Sequence, residues 1–207
     1  MVRAFSGIAF TDAVIAHQKR HGSAEAYAKF LAPEADSNDR LSNTEKLFIT
    51  ERDGFYQATV SETGWPYVQF RGGPRGFVHV LDEKTIAYAD FRGNRQYLSV
   101  GNLSGDDRIA LFFMDYANQR RLKMFGHAHA IDIETDPALI ARLSNPDYRA
   151  KPERAIVIKI AGFDWNCPQH IPQRFSLDEI EKANESVCKE LAQLRAENAQ
   201  LQQQLGR

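Results

Sequence analysis

Three runs of arginine, asparagine and glycine carry the residue types that bind phosphate. The densest is Gly64-Trp65-Pro66-Tyr67-Val68-Gln69-Phe70-Arg71-Gly72-Gly73-Pro74-Arg75-Gly76-Phe77. On a strand, Gln69 and Arg71 share one face and Phe70 takes the other. Gly72 and Gly73 let the chain turn sharply just past Arg71. The second run, Asp90-Phe91-Arg92-Gly93-Asn94-Arg95-Gln96, follows an apolar stretch and reads as the opening of a helix. Free N–H groups at a helix start, flanked by Asn and Arg, suit an anion such as phosphate. The third, Asn118-Gln119-Arg120-Arg121-Leu122-Lys123, enters a long alternating strand on which Arg121 and Lys123 share a face.

One strand-end arginine is ordinarily a solvated surface residue. Three such clusters on consecutive strands of one barrel imply a phosphate-bearing ligand lying along it. Charge is distributed accordingly. Nine basic residues, seven of them Arg, stand against six acidic between Arg71 and Lys123, and eight of the thirteen glycines lie between Gly54 and Gly105. From Ser176 onward the balance reverses, to four basic and six acidic, and the chain sums to -1. A general nucleic-acid binder would show a large basic excess, so that class is excluded.

Other reactive residue types are sparser. His127 and His129 share a strand face but have no third ligand at a suitable spacing, so no metal site is expected. His17 and His21 read as surface residues of a helix. Cys167 and His170 could form a low-pKa thiol pair, or Cys167 could be a small buried hydrophobe in a Pro-bounded loop; the second reading is preferred.

The elements that must position these residues are short strands. Phe55–Val60 and Pro66–Phe70 read as a hairpin, Gly76–Leu81 and Thr85–Ala89 bracket a second turn, and Ile109–Met114, Leu122–Ile133 and Ala155–Ile160 follow. Some seven strands of this kind suggest a closed or half-closed antiparallel barrel. Helices are expected over most of residues 1–46, with a loop after Pro33, and again at Asn94–Leu103 and Pro137–Leu143. In the last thirty residues Ile180, Val187, Leu194 and Leu201 recur every seven positions, with Leu191 and Leu205 four beyond Val187 and Leu201. Asn184 and Asn198 share the Leu191/Leu205 register. This is a coiled-coil pattern, and its stripe needs a partner. Three units result: 1–46, 47–175 and 176–207.

At 207 residues, 43% hydrophobic, the chain can bury a substantial core. No run approaches a membrane span, the first residues lack a secretory apolar stretch, and two cysteines make no disulfide framework. A cytoplasmic protein is the expectation.

The runs Val68–Phe77, Ala89–Tyr97, Met114-Asp115-Tyr116 and Arg120–Gly126, with Asp164-Trp165-Asn166-Cys167-Pro168-Gln169-His170-Ile171-Pro172 downstream, resemble the pyridoxamine 5'-phosphate oxidase-related flavin proteins, and within them a flavin-nucleotide-binding subgroup. The resemblance covers roughly residues 47–175. It implies a mainly β fold with flanking helices: a split β-barrel that forms a homodimer and binds FMN at the dimer interface. Arg71 would face the flavin phosphate or ribityl chain. Gly93, Asn94, Arg95 and Gln96 would match the Ser-Arg-Lys phosphate turn of the oxidases, with Asn for Ser and Gln for Lys. Arg121 would lie near the isoalloxazine edge, where a cation stabilises negative charge on the reduced ring. Gln69, Gly72, Asp90 and Lys123 complete the expected cofactor set. The oxidases grip vitamin B6 with a C-terminal Arg-x-His pair. Here Asn166-Cys167-Pro168-Gln169-His170 stands instead, so Asn166, Cys167 and His170 are substrate-side candidates and B6 oxidation is not expected. The implied activity is that of an FMN-dependent oxidoreductase acting on a small molecule. The alternatives are a flavin store or sensor without turnover, and a barrel holding another flat cofactor such as haem or a deazaflavin.

Overall fold

The computed structural model describes residues 2–32, 36–165 and 168–206. The loop expected at Pro33 falls partly outside them, and the candidates Asn166 and Cys167 fall wholly outside. Alternating apolar and polar residues build seven strands: β1 (Gly54–Val60), β2 (Pro66–Gly72), β3 (Val78–Val80), β4 (Thr85–Phe91), β5 (Arg108–Asp115), β6 (Arg120–Asp132) and β7 (Pro152–Trp165). All neighbours pair antiparallel in one sheet of order β2-β1-β5-β6-β7-β4-β3.

That sheet closes on itself. In the ladder β1 and β4 are separated by three strands, yet the Tyr88 hydroxyl on β4 donates to Gln57 Oε1 on β1 at 2.6 Å. The rings of Phe55 and Tyr88 also meet, 5.3 Å apart. The fold is a split barrel whose seam lies between β2 and β4. Its interior is filled by Phe55, Ile86, Leu111, Phe113, Leu122 and Ile158, all essentially inaccessible. A bulge between Phe125 and Gly126 helps bend the long β6. A side chain at Gly126 would strike the Lys159 carbonyl, 2.7 Å from its Cβ position.

Helices close the ends and the outer surface. At the N-terminus α1 (Ala4–Ala9), α2 (Asp12–Arg20) and α3 (Ala24–Ala28) precede α4 (Asn43–Thr50). The Phe5 ring of α1 stacks on Phe125 at 4.7 Å. The backbone of α1 comes so close to β7 that a Cβ on Gly162 would lie 2.5 Å from the Phe5 nitrogen. Phe48 and Ile49 of α4 enter the core. Between β4 and β5, α5 (Leu98–Gly105) is pinned to the barrel: Ser99 Oγ donates to Gln69 Oε1 at 3.0 Å, and Asn102 Nδ2 to Thr59 Oγ1 at 2.9 Å. On another side, Ile140 and Leu143 of α6 (Pro137–Leu143) pack with Ala87, Ala89 and Ala155 in a second small core. The 28-residue α7 (Leu177–Gln204) has no buried residue. Among the described residues no helix is long and apolar enough to cross a membrane.

Glu45 ties α4 to the end of β7. Its carboxylate completes a capping box with Ser42 and also accepts from Trp165 Nε1 at 2.9 Å. Burial pushes its pKa up, but the hydrogen bonds from Ser42 and Trp165 outweigh burial and hold it below the usual carboxylate value. Replacing Glu45 with Ala is expected to cost about 1–3 kcal/mol at neutral pH. Because the folded-state pKa lies below the unfolded one, this stabilisation is present above the unfolded value and lost as pH falls through the folded one. Denaturant titrations of both proteins at pH 7 and near pH 3 should show the gap narrowing in acid; an equal gap at both would contradict the assignment.

Candidate cofactor site

The site is built around one buried acid. Asp90, near the end of β4, lies opposite Arg154 of β7 in the ladder. Its side chain is only 5% exposed and faces two guanidinium groups. Arg71 Nη1 approaches Oδ1 at 2.7 Å from β2, across the seam, and Arg154 Nη1 approaches Oδ2 at 2.9 Å. Arg154 also contacts Glu153 and Asp132 at 3.3 and 3.4 Å, so its charge is shared among three acids, whereas Arg71 pairs with Asp90. Arg71 Nε is buried and has no hydrogen-bond partner among the described residues. A buried guanidinium N–H left without an acceptor is costly, and a ligand oxygen would supply the acceptor.

Next to this cluster the chain leaves β4 through Gly93-Asn94-Arg95-Gln96-Tyr97. The helix expected to begin at Asn94 begins at Leu98 instead. Arg95 and Tyr97 adopt left-handed backbone, φ 63° and 55°, which a right-handed helix cannot include. Asn94 Oδ1 accepts from the Gln96 N–H at 3.3 Å, folding the turn. Arg95 Nε donates to the Tyr97 hydroxyl at 3.2 Å, and the Arg154 guanidinium lies 5.1 Å over the Tyr97 ring. Tyr97 is the N-cap of α5, and its side chain makes no capping hydrogen bond, so the N–H groups that open the helix get no cap from it. Arg95 is fully exposed, with its guanidinium held further into the cationic range by the hydrogen bond to Tyr97.

One open cleft brings together Gln69, Arg71, Asp90, Gly93, Asn94, Arg95 and Gln96. Gly72 lines the adjoining crevice with Arg71, Asp90 and Gly93. Arg154, Glu153, Tyr97 and Ser99 also line the cleft and were not singled out as site residues in the sequence. A charged residue immediately before the apolar run Ala155–Ile160 was the one available hint of Arg154.

The third cluster does not join them within one chain. Strand order places β6 far from β2, and Arg121 and Lys123 point to the outer face, opposite the buried Leu122 and Met124. Lys123 Nζ pairs with Asp164 at 2.7 Å and sits over the Phe5 ring. Arg121 stacks over Phe112, 5.1 Å from its centroid. His170 is exposed and outside the cleft, at φ 64°. The segment after it is tied instead to the β5–β6 turn: Gln119 Nε2 donates to the Ile171 carbonyl at 2.6 Å, and Gln173 Nε2 to the Ala117 carbonyl at 3.0 Å. His127 Nδ1 lies 2.8 Å from Asp107. No group of three metal-ligating side chains occurs among the described residues.

The fold is a split barrel with an arginine-lined cleft at its seam. The chain belongs to the pyridoxamine 5'-phosphate oxidase family, whose model matches residues 42–163. No curated protein matches the chain. Among solved structures, HupZ of Group A Streptococcus is similar with a TM-score of 0.51 at 15% identity, covering 65% of this chain and 99% of that one. An FMN-binding protein from Syntrophomonas wolfei gives 0.47 at 13% identity, covering 72% and 97%. At such identities the likeness concerns the fold.

If Asp90 holds both arginines in place, Asp90→Ala leaves the largely buried Arg71 without its carboxylate and Arg154 with only Glu153 and Asp132. The expected loss is about 3–5 kcal/mol, read by denaturant unfolding; a loss within ordinary surface scatter would mean that both guanidinium groups turn out to solvent freely.

Proposed function

We propose that the protein binds FMN and serves as a flavin-dependent oxidoreductase acting on a small molecule. The observation that carries this reading is the orphaned, buried Arg71 Nε beside the uncapped start of α5, within a family of flavin-type split barrels. Arg95, Asn94, Gln96 and the first N–H groups of α5 would hold the phosphate, with Arg71 oriented by Asp90 toward its oxygens or the ribityl chain. Bound flavin supplies the capacity to accept an electron pair, with its proton, from an organic donor. The chain's own contribution is to fix the phosphate end rigidly. Strained left-handed residues held by packing are a recurrent feature of such ligand clamps.

The same reading requires a second copy. Trp65, Val68, Phe70, Tyr56 and Phe112 are exposed hydrophobics of the β2-β1-β5 side of the sheet. Tyr56 lies opposite Phe70 on one side and Phe112 on the other, so the last four form one continuous outer face. Contiguous apolar surface of this kind commonly marks an interface. Arg121, beside Phe112 on that face, then belongs to the flavin site of the other protomer. Lys123, paired with Asp164 beneath α1, has no part in it. The missing C-terminal Arg-x-His pair argues against vitamin B6 phosphate as substrate.

Three measurements test this. Purified protein titrated with FMN should quench flavin fluorescence, and Arg95→Ala should weaken binding by roughly ten- to a hundredfold through the loss of a charge-assisted phosphate contact. Riboflavin, lacking the phosphate, should bind the parent weakly and be indifferent to Arg95. Unchanged FMN affinity would place the phosphate elsewhere, and a haem spectrum would replace the flavin reading. In a chain ending at Phe175, without α7, Phe70→Glu should convert the barrel dimer into a monomer in sedimentation. Photoreduced holoprotein should pass electrons to an added acceptor faster than free flavin does; no such advantage would favour a store or sensor.

A further inference from the structure

The 28 residues of α7 rise about 42 Å, and every large apolar side chain on the helix remains 44–77% exposed. A lone helix of this kind is marginal in water. A capping box at Ser176 and Glu179 nevertheless sets its start firmly.

Read as a heptad, the a positions are Leu177, Asn184, Leu191, Asn198 and Leu205, and the d positions are Ile180, Val187, Leu194 and Leu201. Every seam position over four heptads is therefore aliphatic or asparagine. We propose that α7 pairs with α7 of a second copy as a parallel, in-register, two-stranded coiled coil.

Two independent features select that occupant and orientation. In a parallel pair a meets a, so each asparagine faces its own counterpart and the two amides satisfy one another. An antiparallel pair would set Asn184 against Leu194 and Asn198 against Ile180, burying amides against hydrocarbon. A slip of one heptad in the parallel pair would oppose each Asn to Leu. Flanking charges agree. Across a parallel pair a g residue meets the e residue five positions on, which couples Glu190 to Arg195. The remaining g–e pairs (Ser176 with Glu181, Ala183 with Cys188, Glu197 with Gln202) contain no like charges. The antiparallel arrangement instead brings Glu190 beside Glu190. The seam is thus complementary to itself, which a surface evolved for a different protein need not be. The segment entering the helix is fastened to the β5–β6 turn through Gln173 and Ala117, so the coil would be rooted in the barrel.

This inference does not depend on the cofactor. It is tested in the full-length chain carrying Cys188→Ser, with one new cysteine at a time and mild oxidation. Leu201→Cys and Leu177→Cys, at opposite ends of the seam, are each expected to give a disulfide-linked dimer. Lys189→Cys, at the outward f position, is not. The Cys188→Ser parent reports any background from Cys167. Because α7 buries nothing against the barrel, none of these changes touches the core. Cross-linking only when the Leu177→Cys and Leu201→Cys proteins are mixed would overturn the parallel arrangement. Cross-linking no greater than Lys189→Cys in every case would overturn the pairing itself, whatever the oligomeric state of the barrel.

Discussion

A carboxylate buried between two guanidinium groups holds the seam of this barrel. Asp90 is reached by Arg154 along the β4–β7 ladder and by Arg71 across the gap where β2 and β4 have no ladder between them. Hydrogen bonding of the sheet ends at that gap, so side chains must close it. Tyr88 and Gln57 contribute one link beneath, fully buried. The ionic cluster of Asp90 with Arg71 and Arg154 forms the upper link. The arrangement that closes the fold also leaves the buried Arg71 Nε without an acceptor among the described residues.

The neighbouring turn depends on that closure. Tyr97 lies under the Arg154 guanidinium and receives the Arg95 hydrogen bond, while Ser99 and Asn102 lock α5 onto β2 and β1. With both ends fixed, the five residues from Gly93 to Tyr97 must take left-handed backbone twice. That local cost postpones the helix by a turn and presents its uncapped start to the cleft. Propensity alone reads Asn94–Leu103 as continuous helix, since nothing in those residue types announces a constraint imposed by β2 and β7.

Much of the architecture is legible in the residues. The hairpin from Phe55 to Phe70, the second turn before Thr85, and the long alternation of β6 follow from period-two patterning, and all seven strands are where alternation places them. The pairing of Gln69 with Arg71 on one face follows from the same parity. The fate of Arg121 and Lys123 shows its limit. Parity puts them together on one face of β6 but cannot say which face. Leu122 and Met124 take the interior, so both cations are turned outward, one to α1 and Asp164, the other to Phe112 and the exposed sheet. Arg154 was missed for a related reason: its importance comes from being opposite Asp90, a relation that exists only in the ladder.

The sequence by itself determined the strand and helix types, the mainly β class, the grouping of arginine, asparagine and glycine in the Arg71 and Asn94–Gln96 runs, and the heptad pattern of α7. These are local properties, set by side-chain type and by periods of two, three and a half, or seven residues. Tertiary structure alone decided which clusters share a cleft, which two arginines pair with Asp90, and which cations are turned to the outer surface. Those relations join residues 19 and 64 positions apart, and only the curling of the sheet brings them within hydrogen-bond distance.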